Sequence, residues 1–520
     1  MSFLRVYIRA TMRLTSALHI GTGEEAALGE RLLKAINNTR DKRFATWEDC
    51  KQSLKVQEPK GRYLRTYRQK ERAAVPASTL RGIWRRASGP GELTDRYFGD
   101  SAEQRQHLSA GWLRVYDLQL SDLALADALR NVPLAERTTG TGVTHGIRID
   151  SVTGAVMDKF LWAYEFVPAG ARFDLNVEIV PPRGRTVSSI DLEALLGSLA
   201  AVGSSSERAL GHSTTKGLGL AKIEINQVRG IDQSSFRGWS VSGKVLSTAA
   251  KSITVAFKST VPDTDALVLD LQFPYGLLAG EPFLSKPKLK NGDSADKRGS
   301  KETASLQYAR DADGKPLVRG ASLKGLLRAH SQRILASAIL ASRPKLPPML
   351  ASDLSTKALR ALFGDTTRRA KVLTSGASWV RSDARDIDHW RTFVAVDRFT
   401  GGAAEQKLYD ALVARACTLR CTVSINKELA PWEKGLLLHV LRDAFEGELS
   451  VGWGKSKGLG AFRVASARLA GILVESVQSL LALARTRSDW VAWLDAFDKQ
   501  VAMIAAATTE HENVDAERSR

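Results

Sequence analysis

Apolar and polar residues alternate strictly near the start of the chain: Val6, Ile8, Ala10, Met12 and Leu14 are separated by Arg5, Tyr7, Arg9, Thr11 and Arg13. A period of two places each set on its own side of a strand, so one side is buried and the other is wet and basic. The same alternation recurs over residues 173–179, 267–273 and 419–425. Apolar residues recurring at three to four positions predict helices over 191–202 and 432–445. Two further helices are expected over 469–484 and 490–507, followed by a polar tail that should fray. Strand, helix, strand, strand, helix, strand is the split β-α-β order of a ferredoxin-like (RRM-like) unit, so an α+β fold with antiparallel sheets is expected.

That order occurs in duplicate. Val75 to Arg85 (VPASTLRGIWR) matches Val318 to Arg328 (VRGASLKGLLR), and pairing Ser78 with Ser322 gives an offset of 322 − 78 = 244. Ile149 to Gly154 (IDSVTG) matches Val396 to Gly401 (VDRFTG), with an aspartate offset of 397 − 150 = 247. Thr215 to Gly219 (TKGLG) matches Ser456 to Gly460 (SKGLG), with a lysine offset of 457 − 216 = 241. Three colinear matches at nearly one offset indicate an internal repeat. The expected division is a first unit over 1–235, a second over 240–465, and C-terminal helices over 466–520. The seam is expected at 230–242, where Gly, Ser and other polar residues cluster. Inserted loops are expected at 24–74 and 285–310, both basic.

Charge narrows the partner. Lys plus Arg number 75 against 56 Asp plus Glu, a net charge of +19 over 520 residues, which favours a polyanion such as nucleic acid. No stretch approaches the roughly 18 apolar residues of a membrane span, and the first residues lack the apolar core of a secretion signal, so no membrane partner and a cytoplasmic location are expected. The three cysteines, Cys50, Cys417 and Cys421, form no CxxC pair, and the eight histidines lack metal-binding spacing. Neither a disulfide framework nor a stable metal is expected.

Two motif pairs carry candidate chemistry. In Gly211 to Gly219 and Val451 to Gly460, glycines permit backbone shapes that leave amides open to a phosphate, while Lys216, Lys455 and Lys457 add charge. Neither reads GxxxxGK[ST] and both precede strands, so a P-loop is excluded. A tight turn accounts for one such loop; two at matching positions, each with lysine, favour contact with an RNA backbone. Candidate RNA-binding residues here are His212, Thr215, Lys216, Gly217, Gly219, Lys455, Lys457, Gly458 and Gly460. In the second pair, Ser78, Thr79 or Ser322 can cap the following helix, and Arg81, Arg85, Lys324 and Arg328 recur beside its start, where amides and dipole favour anions.

Taken as a set, VPASTLRGIWR, VRGASLKGLLR and the late glycine loops resemble the RAMP superfamily, whose members build CRISPR effector backbones. The segments Gly146 to Gly154 and Tyr164 to Gly170 are similar to the thumb region of backbone subunits of type III complexes. The resemblance covers nearly the whole chain as two copies. It implies ferredoxin-like palms that grip a guide crRNA, thumb hairpins at about 140–160 and 395–407 that interrupt the guide–target duplex, and partnership with complementary target RNA and other effector subunits.

The resemblance also raises a nuclease reading. Cleaving members carry an aspartate about fourteen residues before the serine turn and use a divalent metal. In the second unit that position falls on Ala304 or Ser305, neither of which can serve. The nearest carboxylates are Asp293, Asp296 and Glu302, so Asp293 and Asp296 are the catalytic candidates, with Mg2+ the implied ion if the chain cuts and no cofactor otherwise tightly bound. In the first unit Asp41, Glu48 and Asp49 are alternatives. A scaffold that holds guide RNA and an endoribonuclease that cuts target or processes CRISPR precursor RNA, with His19 as the histidine of the opening strand region, both remain open.

Overall fold

A computed structural model describes residues 1–38, 44–54, 61–99, 110–150, 156–240, 245–259, 266–280, 306–311, 313–425, 429–469 and 471–518. The alternating segment forms strand Arg5–Leu14, with Val6, Ile8, Ala10, Met12 and Leu14 each at most 4% exposed. Burying an aliphatic side chain of this kind contributes about 1.5–3 kcal/mol, so this strand anchors the first core. It pairs antiparallel with Ala221–Ile231 on one side and Arg172–Ile179 on the other. The short strands Leu113–Val115 and Leu118–Leu120 flank Arg172–Ile179. Helices Ala77–Ser88 and Ser189–Ala200 carry the connections, and buried residues of both pack into the same core. In chain order the sheet reads fourth, first, third, second strand, which is the ferredoxin-like arrangement.

The second half repeats it. Strand Ala266–Phe273 lies between Arg463–Leu469 and Cys417–Ile425, which is flanked in turn by Val372–Thr374 and Ser378–Ser382. Helices Gly320–Ser342 and Pro431–Glu446 take the equivalent places. Cys417 and Cys421 are both buried in one strand of this core.

Each half also bears a hairpin outside its main sheet. Gly142–Ile149 pairs antiparallel with Val156–Phe166, which pairs parallel with Arg62–Thr66. Asp388–Val396 pairs antiparallel with Ala403–Ala414, which pairs parallel with Leu306–Gln307. Residues 142–149 and 156–160 of the first expected thumb segment, and 395–396 and 403–407 of the second, lie in these hairpins. The first hairpin is locked at its base by the 24–74 insertion, whose helix Leu28–Asn38 supplies Arg31, 1% exposed. Arg31 donates to Glu136, to Leu134 O at 2.9 Å and to Thr141 O at 2.6 Å, and lies 3.5 Å from Glu165, which also accepts from Arg68 at 2.7 Å.

Several expectations require correction. The seam is not at 230–242: helix Gln233–Ser240 occupies that stretch, and Lys251–Ser252 returns to pair with Arg229 and Gly230 of the first sheet. Gly230 is a strand residue there, and Ser234, Ser235, Gly238 and Ser240 are helical. Leu469 and residues 471–474 are not helical, because Ile472–Val474 folds back on Arg463–Leu469; the helices are Val477–Thr486 and Ser488–Arg518. The latter extends through Arg518, past the expected end at 507. It packs on the second module's helices, with Trp490, Phe497 and Val501 in the core.

Candidate nucleic-acid interface

The two glycine loops have nearly the same shape. Thr214–Lys216 and Lys455–Lys457 are each a single 3-10 turn. Gly217 and Gly458 follow at φ 78°, and Gly219 and Gly460 at φ 78° and 74°. A methyl group on Gly219 or Gly460 would sit 1.8 Å from Leu210 O or Val451 O, so both turns require glycine. Several of these amides are already taken, however. Lys216 N and Gly217 N donate within the turn, Gly219 N to Ala17 O, and their counterparts Lys457 N, Gly458 N and Gly460 N are bonded in the same pattern. Each loop also offers a polyanion side-chain charge.

The serines do not cap their helices. Helix Ala77–Ser88 has Pro76 at its N-cap and Gly320–Ser342 has Arg319, neither with a side-chain cap bond, so Ser78 and Ser322 lie inside the first turn. The helix starts correspond at 320 − 77 = 243, which aligns Ser322 with Thr79 rather than Ser78. In the first module Ala77 N is taken by Asp117 Oδ1 at 2.8 Å.

The structure gathers cations from both units at their junction. Lys324 Nζ lies 3.1 Å from Thr215 Oγ1, and Arg369 Nη2 lies 3.4 Å from Thr214 Oγ1 and 3.3 Å from Ser206 O. Lys216 stands over the Trp162 ring of the first hairpin, 5.7 Å from its centre. Arg319 Nη1 donates to Thr144 Oγ1 of the same hairpin at 2.8 Å. A shallow depression of about 370 Å³ is lined by His212, Ser213, Thr214, Thr215, Lys216 and Arg369.

The charges at this junction are strained by burial and by one another. Burial, with Lys216, Arg328 and Arg369 nearby, pushes the Lys324 ammonium down to about 8. Burial also lowers Lys216, and burial with Arg148 lowers Arg328. His212 is held below its ordinary value by burial and Lys216, and His145 is pushed to about 4 by burial and Arg319. Asp365 opposes these effects at Arg328, and Glu207 at Arg369. Desolvated cations that depress one another form a site a phosphate chain would relieve.

Other candidates lie elsewhere. Arg81 donates to Phe98 O at 2.7 Å and Arg85 lies 3.7 Å from Asp95, so both are engaged within the first module. Lys457 stands over Phe393 and Trp453, at 4.4 and 4.8 Å from the ring centres, beside the second hairpin. Lys455 and Gly458 are exposed. Asp293, Asp296 and Glu302 fall outside the described residues, as does Asp41; Asp49 caps its own helix through Thr46. His19 is 4% exposed, with Nδ1 2.6 Å from Glu165 O, a structural setting. Among the described residues no cluster of three or more His, Cys, Asp or Glu could hold a metal ion. No described helix is long and apolar enough to cross a membrane.

Sequence reasoning missed Arg369, Arg319, Arg148 and Trp162. Each reaches the junction through tertiary packing; Arg369 and Trp162 stand in no repeated motif, and Arg319 lies in one but faces Pro76 in the other copy.

The sequence model of the RAMP superfamily matches residues 11–222 and again 291–463, once for each ferredoxin-like half. The chain belongs to the RAMP superfamily. Membership carries a CRISPR-associated RNA-binding role, and RAMP proteins in general bind CRISPR RNA and other effector subunits. No curated protein matches the chain. In this RAMP protein the two family matches meet across the cationic junction.

Proposed function

We propose that this RAMP protein is a tandem backbone subunit of a type III CRISPR complex, and that its junction cations hold the sugar–phosphate backbone of the guide RNA. The observation that carries this is the set of half-buried cations, Lys216, Lys324 and Arg328, joined by the exposed Arg369 and contributed by both modules to one place. Recognition there is of charge and shape, leaving the bases to pair with a target. The hairpins support a thumb role: at the second tip Val394, Val396 and Phe399 are 46%, 62% and 98% exposed, apolar surface that a solvent-facing turn does not need but an unstacked base pair can cover.

The test is binding of guide-length single-stranded RNA to the full chain, followed by fluorescence anisotropy across a salt series. Replacing Lys216 and Lys324 together by glutamate should weaken binding at least about tenfold and flatten the salt dependence. Unchanged affinity would refute the assignment of the junction. The type III assignment is tested by purifying the chain from its native cells and identifying the bound RNA and proteins.

Target cleavage is a second reading. Its support is that the segment bearing Asp293 and Asp296 starts and ends at the base of the second hairpin, where Gly280 bridges Tyr308 and Leu306 pairs with Ala411. Complementary RNA cut at regular spacing with Mg2+, and left intact by Asp296→Ala, would support it; no cutting by the intact complex would exclude it.

A further inference from the structure

We infer that the exposed glycine loop of the second module is a docking element for the helix start of a RAMP module on a different chain, and that this chain's own N-terminal module is built to refuse it. The inference deepens the backbone reading and rests on it for the identity of the partner. Its geometry rests only on the internal repeat.

The docked form of this contact already exists inside the chain. The first module's loop lies flat against the second module, where a methyl on Gly217 would meet Thr374 O at 2.8 Å and Gly376 N at 2.9 Å. The seat is equally tight from its own side, since a methyl on Gly320 would fall 2.2 Å from Lys216 O. Glycine at the first position of helix Gly320–Ser342 and at 376 is what lets two backbones approach this closely.

The second module's loop has the same shape, and no described residue is packed on its Gly458. A methyl on Gly458 would meet no atom within 4 Å. Its seat cannot come from a second copy of this chain. The strand registers align Thr374 with Val115, since these pair with Val423 and Val177, at equivalent positions of their sheets. Ser375 and Gly376 therefore correspond to Tyr116 and Asp117, and Gly320 to Ala77. Tyr116 is 49% exposed on that face, and Asp117 spans from Ala77 N to the Tyr67 hydroxyl, at 2.8 and 3.0 Å. A methyl, a phenol and a carboxylate thus occupy the surface that must be bare backbone. Pro76 also replaces Arg319, which bridges to the neighbouring hairpin.

The partner's chemistry follows from the residues that differ between the loops. It carries glycine at the first turn of a helix and a small residue after the adjoining short strand. Ser456 stands where Thr215 meets Lys324, so a lysine or arginine there is accommodated. Lys455 stands where Thr214 meets Arg369, so an acidic or neutral residue faces it in place of that arginine. A head-to-tail contact that cannot be made between identical copies ends growth at this chain instead of producing a filament.

The test begins with the purified full chain in sedimentation velocity over a wide concentration range. The intact chain should remain a monomer; growth abolished by Gly458→Trp would overturn the inference. The triple variant Ala77→Gly, Tyr116→Ser, Asp117→Gly should self-associate, at least about doubling the mass, and revert when Gly458→Trp is added. If it folds with parental melting yet stays monomeric, the inference is wrong. Lysine cross-linking of the complex purified from its native cells decides independently of that variant's folding. Cross-links from Lys455 and Lys457 should reach another polypeptide, whereas links to the 77–117 region of a second copy would overturn the proposal. RNA affinity measured on the same samples separates the two claims: its loss would sink the backbone reading without touching the docking result.

Discussion

The two glycine loops share a motif, a backbone trace and a bonding pattern, yet Gly217 is buried and Gly458 is exposed. One loop is an internal joint, the other an end. The hairpin bases differ in the same sense. In the first module a buried Arg31 joins Glu136 and Glu165, whereas in the second Arg310 meets Asp388 at 2.9 Å with side chains 20% and 40% exposed. Duplication supplied the same parts twice, and the environment of each copy determines what the part does.

The sharpest way to break this comparison is at the hairpin bases. Arg31→Met leaves Glu136 with only the exposed Lys34 and Glu165, 0% exposed, with only Arg68, and removing one partner of a buried ion cluster costs about 3–5 kcal/mol. Arg310→Met should cost about 1 kcal/mol, because its pair is screened by water. Thermal unfolding of the two variants should therefore diverge clearly, and equal losses would show that the bases are not differently buried.

Next come the loops themselves. Gly217→Ala adds left-handed strain to a collision with backbone and should cost about 2–4 kcal/mol. Gly458→Ala carries only the strain, about 1 kcal/mol. Chemical denaturation would show both; similar losses would mean that the first loop is not seated as tightly as its contacts indicate.

Much of this fold was legible in the chain, for reasons that also explain what was not. The alternation of Val6 to Leu14 and the repeated motifs report local geometry and which side is buried, so the strands, the ferredoxin-like order and the duplication could be read. The seam could not, because the glycines and serines of 230–242 look like a linker whether or not Lys251–Ser252 later returns to the first sheet. Capping by Ser78 and Ser322 failed because they lie two and three positions past the N-caps Pro76 and Arg319, and in the first module Asp117, distant in sequence, takes the Ala77 amide. The junction was half legible. Thr215, Lys216, Lys324 and Arg328 came from motifs, but that they meet, and that Arg369 joins them, depends on how two modules pack.

A smaller effect concerns RNA affinity and salt. Lys324→Ala alone should lower the slope of log affinity against log salt by about 0.7, the value for one contact to a single strand. Lys457→Ala, at the exposed loop, is expected to leave that slope unchanged while weakening docking. Equal slopes for both variants would place RNA contact at both loops and erase the distinction between joint and end.

The smallest effect is a pH dependence. In the free protein Lys324 titrates at about 8, below the ordinary 10.5, because burial and neighbouring cations disfavour its charge. A phosphate alongside restores that charge, so the bound-state value rises. Below pH 8 the lysine is protonated both free and bound, and affinity should not change with pH on its account. Above 8 binding must take up a proton, and affinity should fall by at most about tenfold per pH unit until the bound form also titrates. Folding stability of the RNA-free chain has the opposite sign. The depressed value favours the neutral amine in the folded state, so stability rises between pH 8 and 10.5. Lys324→Arg keeps the charge throughout this range and should flatten the affinity profile. A decline above pH 8 that persists in that variant would assign the titration to another group.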